Sequence, residues 1–327
     1  MTAQEDLAIV IPVWNLPEDL AFLLNQIADM KVFSEVIVAD DGSDRDCNPI
    51  SLGFSEERLG ARLVYMRSDR QRGAGHARNI AFQSVTAEHT LFFDADDHLS
   101  EDFPLILRQH VAADALDFTI FRHNDTRIEA AEGRKGTFAS EEAWWDEALG
   151  GANRKLLSLQ ERATLSPISA YPWNKIYRSA FLRDNQISCS ETPVHNDIRL
   201  HWLSFLYAER VQATRRIGAV HVIGDRDHHL TTRRGVDRLC LGNIIAELTD
   251  QIRRSLGNQI LMQRYILFVD NVCRWNLRQV DNHLLPQFTK MAVNTYLGFL
   301  PEEFRLYAYR EPSRAAAIVE LLLNEGV

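Results

Sequence analysis

Residues 91–99 read LFFDADDHL, three carboxylates directly after an apolar run. Asp94, Asp96 and Asp97 repel one another, and either solvent around an open turn or a divalent cation offsets such repulsion. Mg2+ and Mn2+ are hard cations, commonly held by one or two protein carboxylates together with substrate phosphate oxygens. Alternate residues of an extended strand tip can aim two carboxylates into one site. The competing reading is a helix cap, with DDHLSEDF opening a helix near Ser100; taken alone, the quartet favours the cap slightly. A second acidic segment, VADDGSD at 38–44, contains the turn-forming Asp-Gly pair, and a carboxylate there can also accept hydrogen bonds from a base or a ribose. A third segment, RGAGHARN at 72–79, has G-x-G, but Arg78 stands in the place of the third glycine and the dinucleotide fingerprint fails. Such a loop at a helix N-terminus can still receive a phosphate, with Arg72 and Arg78 adding charge-assisted contacts. Taken singly, it is more often a flexible turn.

These segments matter only if the fold brings them together. LAIVIPV at 7–13, EVIVA at 35–39 and TLFF at 90–93 are short, β-branched or aromatic-rich runs that end in turn or acidic residues, as strands buried on both faces do. RLVYM at 62–66 is a weaker fourth. Between the first two, PEDLAFLLNQIADM sets Leu20, Leu23, Leu24 and Ile27 at helical spacing behind Pro17 and two acids. Strand, helix and strand in about 35 residues make a βαβ unit, and HARNIAFQSV predicts a further helix leading into TLFF. The expected N-terminal third is a doubly wound α/β sheet, whose ligands bind at the carboxyl ends of the strands. That rim would gather Trp14 and Asn15, then Asp40 and Asp41, then Asp94 to Asp97, and the convergence moves the odds from solvated turns toward a site.

Beyond 117 the pattern is less regular. DFTIF predicts a strand, FASEEAWWDEAL a helix, and YPWNKIYRSAFLRDN a strand or turn running into a helix. From about 240, Leu241, Ile244, Ile245, Leu248, Ile252 and Leu256 keep the 3.6-residue period. Further helices are expected at 259–279, 284–298 and 312–324. The division this suggests is 1–222 for an α/β unit, with halves at 1–116 and 117–222, and 223–327 for a helical region.

The chain has 327 residues, 46% hydrophobic and 25% charged, a globular composition with a sizeable core. Its formal charge of −9 argues against a nucleic-acid partner, which would need clustered Lys and Arg. Four cysteines, Cys47, Cys189, Cys240 and Cys273, lie far apart without zinc-ligand spacing and predict reduced thiols. The acidic start MTAQEDLAIVIP does not resemble a signal peptide, and no stretch approaches the ~20 apolar residues of a membrane span. The expectation is a cytoplasmic protein.

In order and separation, IVIPVWN, VIVADDGSD, GAGHARN and LFFDADD resemble family 2 glycosyltransferases of the nucleotide-diphospho-sugar transferase fold, GT-A. YPWNKIYRSAFLRDNQI is similar to the Trp-Asn-Lys segment of the bacterial polysaccharide-building members, and VHNDIRLHWLSF lies where they carry a Glu-Asp pair before a helix. The likeness covers roughly residues 7–215. It implies a mainly parallel mixed sheet flanked by helices, followed by a helical region. Pro12, Trp14, Asn15, Asp40 and Asp41 would line the nucleoside pocket, with Arg72 and Arg78 near the phosphates. Asp94 and Asp96 match the D-x-D motif that holds Mn2+ or Mg2+ against the diphosphate of the donor, a UDP-sugar foremost. Asp197 matches the general base of inverting members, and Trp173, Asn174, Lys175 and Asn196 would hold the acceptor or support that base. Asn196 replaces the usual Glu, and Trp14 stands where Tyr is commoner. DRDHHLTTRR falls where the family has a loop over the diphosphate, so His228 or His229 would supply a metal ligand, His229 foremost, and Arg233 or Arg234 a phosphate contact. His195, His201 and Trp202 would partly form the acceptor wall, while Trp144-Trp145 either stack on an acceptor sugar or pack in the core.

The implied activity is metal-dependent inverting transfer of a sugar to a glycan or lipid-linked acceptor, in surface polysaccharide synthesis. A sugar nucleotidyltransferase and a non-catalytic Mg-binding module are the alternatives. The first would want a basic loop after the first strand, where IPVWNLPED offers acids; the second leaves Asp197 without a purpose. Arg253, Arg254, Arg264 and Arg274 on the C-terminal helices could meet the inner face of the plasma membrane or a second copy of the chain, with packing on the α/β unit as the default.

Overall fold

The computed structural model describes residues 5–223, 233–255 and 259–326. Within these, the strands are β1 (Leu7–Val13), β2 (Glu35–Asp40), β3 (Arg62–Arg67), β4 (His89–Phe92), β5 (His98–Leu99), β6 (Phe118–Asp125), β7 (Arg154–Leu156), β8 (Lys175–Arg178) and β9 (Val211–His221). The helices of the first two thirds are α1 (Pro17–Met30), α2 (Glu56–Leu59), α3 (Ala74–Phe82), α4 (Phe103–Val111), α5 (Thr126–Glu132), α6 (Ala139–Leu149), α7 (Leu159–Leu165), α8 (Ser179–Asp184) and α9 (Asp197–Tyr207). The last third holds α10 (Cys240–Arg254), α11 (Gln259–Gln279), α12 (Leu285–Leu297), α13 (Pro301–Arg310) and α14 (Pro312–Asn324).

All strands join one sheet in the order β3-β2-β1-β4-β8-β6-β9-β5, with β7 on β9. The pairs β3-β2, β2-β1 and β1-β4 are parallel, while β8 runs antiparallel to both β4 and β6. This is the mixed, largely parallel sheet that the sequence implied. The chain leaves β1 for β2 on one side and returns to β4 on the other, so the strand order reverses between β1 and β4. A crevice opens at the carboxyl ends of strands around such a reversal.

Alternation along β1 explains the two layers. Leu7, Ile9 and Ile11 join Leu20, Leu23, Leu24, Phe103 and Ile106 on one face of the sheet. Ala8 and Val10 meet Ala39, Ala77 and Ala81 on the other, where small side chains let α3 lie close to the strands. The second core continues through Trp202, Tyr265 and Phe268 into the C-terminal helices without interruption. Trp202 stands edge-on to Tyr265 at 4.8 Å and to Phe268 at 5.3 Å between ring centroids.

Several expectations shift in detail. The helix after the Asp quartet begins at Phe103 with Asp102 as its N-cap residue, so Asp94, Asp96 and Asp97 do not cap it. Tertiary context starts it three residues later than the sequence suggested. Trp145, His201 and Trp202 are each about 1% exposed and lie in the core, not on an acceptor wall. The helix α13 was not foreseen. The four cysteines are free thiols, and among the described residues no helix is long and apolar enough to cross a membrane.

Candidate active site

The crevice is a cleft of about 880 Å³. Pro12, Trp14 and Asn15 enter it from the end of β1, Asp41 from β2, Asp94, Ala95, Asp96 and Asp97 from β4, and Asn196 and Asp197 from the start of α9. Three acidic segments separated by more than fifty residues thus share one cavity, as the strand-end rule required.

The geometry divides these residues into those that face the cleft and those that build it. Asn15 has a left-handed backbone, φ 58°, and its amide oxygen accepts from the N–H groups of Asp44 and Arg45 at 2.8 and 3.1 Å, tying the β1 and β2 loops together. Asp41 accepts from the N–H groups of Arg72 and Gly73 at 2.8 and 2.7 Å and so fixes the glycine-rich turn. Burial nevertheless raises its carboxyl above the usual range. Asp40 does not line the cleft, contrary to expectation: it accepts from the N–H of Ser43 and the hydroxyl of Tyr65, each at 2.8 Å. The tight Asp-Gly turn points its carboxylate back into the loop.

The GAGHARN segment works differently from a phosphate loop. Arg72 sits exposed at the cleft edge and pairs with Asp69 at 3.2 Å. Arg78 is 4% exposed, and it bonds the Asn196 side chain at 2.6 Å and the carboxylate of Asp94. His76 and Asn79 bind Glu191, and Asn79 also exchanges two hydrogen bonds with the backbone of Cys189. One face of α3 therefore clasps the 189–196 segment. Gly75 is part of the clasp, since a Cβ there would lie 2.0 Å from the carbonyl oxygen of Ser190 and 2.8 Å from Cβ of Asn196.

Asp197 opens α9 at the cleft floor, half-buried. Burial pushes its carboxyl up to about 6, against the pull of the Arg78 guanidinium, with nearby Asp94 adding to the rise. Behind it Lys175 is fully buried, donating to the carbonyl of Tyr171 at 2.9 Å and to the Asn174 side chain at 2.6 Å. Burial pushes this amine down to about 7, and Asp197 draws it back upward. Asn174 and Lys175 thus lie beneath the cleft, while Trp173, fully buried, stacks on Tyr171 at 4.5 Å and forms its floor.

Asp94 and Asp96 are both half-buried at the cleft, Asp94 being held by Arg78. Asp97 is 2% exposed and accepts from the N–H of Val222 at 2.9 Å. Burial, with Asp96 and Asp94 close by, raises its carboxyl well above the usual range. Among the described residues no three His, Cys, Asp or Glu side chains form a ready metal cage. Two carboxylates at one rim fit a hard cation that takes its remaining ligands from phosphate and water. His228 and His229 lie outside the described residues; Arg233 lines the cleft.

Sequence reasoning missed one wall. Arg238, before α10, and Trp275, on α11, both line the cleft, with the guanidinium 4.6 Å from the indole centroid. Arg238 also donates to Oδ1 of the Asn276 side chain at 2.6 Å, and the same oxygen accepts from Nε2 of His195 at 3.1 Å. His195 lines the cleft as well, in a left-handed conformation with φ 59°, and burial pushes its imidazole down to about 4. His221, at the end of β9, reaches the rim beside Asp125 at 3.4 Å. The helical period placed Trp275 on a helix, but nothing local to it signals a cleft.

An acid-lined crevice at a strand reversal is where α/β sheets bind their ligands, and comparison with known proteins narrows the class. The family model for glycosyl transferase family 2 matches residues 8–168. Over 258 residues the chain is 24% identical to poly(ribitol-phosphate) beta-N-acetylglucosaminyltransferase TarS of Staphylococcus aureus, covering 78% of this chain and 40% of that protein. Over 100 residues it is 31% identical to dolichyl-phosphate beta-glucosyltransferase of Drosophila melanogaster, covering 28% of this chain and 31% of that one. The matches thus span less than half the length of these curated relatives. The crystal structure of TarS residues 1–349 with UDP-GlcNAc aligns with a TM-score of 0.75 at 17% identity, over 97% of this chain and 88% of that one. Mannosyltransferase PcManGT from Pyrobaculum calidifontis, in complex with GDP-Man and Mn2+, aligns at 0.54 and 12% identity, over 100% of this chain and 89% of that one. These structural likenesses show the GT-A fold. Residues 8–168 thus match the glycosyl transferase family 2 model, and both curated relatives that the chain resembles are glycosyltransferases. The likeness to bacterial polysaccharide-building members read from the sequence is borne out in the match to TarS.

Proposed function

We propose that the protein is an inverting, metal-dependent glycosyltransferase that moves a sugar from a nucleoside-diphosphate donor, UDP-linked, to a hydroxyl of a cell-surface polymer. The observation that carries this reading is the shared cleft of Asp94, Asp96 and Asp197. The nucleoside would lie against Pro12, Trp14, Asn15 and Asp41, with Arg72 and Arg233 reaching the diphosphate. Asp96, seconded by Asp94, would hold Mn2+ or Mg2+. That cation supplies neutralisation of charge on the diphosphate as it leaves.

Asp197 acts as general base. It takes the proton of the acceptor hydroxyl while the hydroxyl oxygen bonds the anomeric carbon from the face opposite the donor phosphate. The bond from that carbon to the phosphate oxygen breaks, and its electron pair leaves with the nucleoside diphosphate. A carboxyl lifted to about 6 suits this work, because a base near the operating pH accepts a proton without being protonated beforehand. Arg78 and Lys175 are positioning residues: the first links Asp94 to Asn196 beside the base, and the second supports the base electrostatically from below.

Residues 1–222 would form the catalytic unit, with the donor half at 1–116 and the acceptor half at 117–222. Residues 223–327 would form the helical region. The relative named for poly(ribitol phosphate) supports a polymeric, phosphate-bearing acceptor, and a nucleotide-sugar donor would suit a cytoplasmic setting. The test is release of UDP from UDP-sugars in the presence of poly(ribitol phosphate). Asp197→Asn should lower turnover by ~10²–10⁴-fold with UDP affinity unchanged. An unchanged turnover would remove Asp197 from the role of base.

A further inference from the structure

Away from the cleft, α11 and α14 enclose a shallow cavity of about 370 Å³ lined by Asn271, Arg274, Arg278, Ser313, Arg314 and Ala317. Three guanidinium groups and no carboxylate line it. Beneath them the fully buried Asp270 accepts from Nε of Arg274 and Nε of Arg314, each at 2.7 Å, and from the hydroxyls of Tyr296 and Tyr307 at 3.2 and 3.3 Å. The Nε bonds lock both planar forks. Arg314 also reaches the Asn271 side chain, whereas Nη2 of Arg274 only approaches the carbonyl of Arg314 at 3.5 Å. Among the described residues Arg278 makes no ion pair, and it is exposed at the mouth. One carboxylate against three guanidiniums leaves the groove strongly positive in a chain whose formal charge is −9. Ser313 and Arg314 stand in the first turn of α14, where free N–H groups and the helix dipole add to that field.

We propose that this groove binds a phosphodiester group of an extended, phosphate-bearing acceptor chain. Pre-set guanidinium forks suit the oxygens of one tetrahedral anion. Position supplies the second argument. Trp275 lines the transfer cleft, and Asn271 and Arg278 lie four residues before it and three after it on the same helix, on the same face. Asn271 and Arg278 therefore each stand about 5 Å from Trp275 along the α11 axis, one on either side. A linear acceptor leaving the cleft over Trp275 meets the arginines next. The assignment rests on the polymer-acceptor reading above, and it adds a remote holding point that would favour long acceptors over monomers.

The test is fluorescence anisotropy of the intact chain with a labelled poly(ribitol phosphate) oligomer, for wild type and Arg278→Glu. Among the described residues this exposed side chain has no hydrogen-bond or ion-pair partner whose loss would disturb folding. The variant should bind the oligomer at least about tenfold more weakly, and its affinity should fall less steeply with salt, by about one unit of the logarithmic slope. Vesicles of phosphatidylcholine and phosphatidylglycerol provide the lipid arm and should bind neither protein. Equal oligomer affinity in both proteins, no oligomer binding by wild type, or vesicle binding that alone depends on Arg278 would each overturn the proposal. Titration with UDP, run alongside, reports on the donor site separately. Loss of oligomer binding in the variant supports the groove even where UDP fails to bind.

Discussion

At the residue scale, one carboxylate behaves differently from its neighbours. Asp40 and Asp41 are adjacent in sequence, yet the turn gives one to Ser43 and Tyr65 and the other to the glycine-rich loop. Among the described residues Asp197 accepts from no second residue; burial leaves it with a carboxyl near 6 while Arg78 restrains the rise. A base works only when deprotonated, so kcat/KM should increase with pH through about 6 and level off above it. The profile should be read at saturating Mn2+, and in Asp197→Asn the limb should vanish. An unchanged limb would assign the titration to another group. The sequence disclosed the acids and their order, because Asp-x-Asp after an apolar run is visible without coordinates. It could not disclose that Arg78 faces inward. Arg72 and Arg78 look equivalent in the string, and only the packing of α3 against residues 189–196 separates an exposed edge arginine from a buried one.

At the scale of elements, the junction of α3 with the 189–196 segment is what brings the donor rim to Asp197. Gly75 permits it: a methyl group there meets a backbone carbonyl that cannot move aside. Gly75→Ala should destabilise the protein by about 1–3 kcal/mol, measured by urea unfolding, and should depress turnover more than UDP affinity, because it displaces Asn196 and Asp197 relative to Asp94. A substitution that altered neither quantity would mean that the two segments are not coupled. The strands β1, β2 and β4 were legible as short continuous apolar runs, and the helices α1 and α10 by their 3.6-residue period. Less was legible between β6 and β9, where antiparallel strands of three or four residues are set by partners distant in sequence.

At the scale of the molecule, the C-terminal helices are part of the core and of the cleft. Trp202 joins the two regions through Tyr265 and Phe268, so Trp202→Ala should cost about 3–5 kcal/mol in a single unfolding transition. Two separated transitions would show that the helices fold independently. Their share in the site, Arg238 and Trp275, was invisible in the string because it depends on docking between regions rather than on any local pattern. The central claim is that the rim carboxylates hold a cation against a donor diphosphate. Calorimetric titration of UDP with and without Mn2+, on wild type and Asp96→Ala, tests it most directly. Binding should require both the metal and Asp96; UDP affinity indifferent to Mn2+ and unchanged in Asp96→Ala would remove the cation from the site.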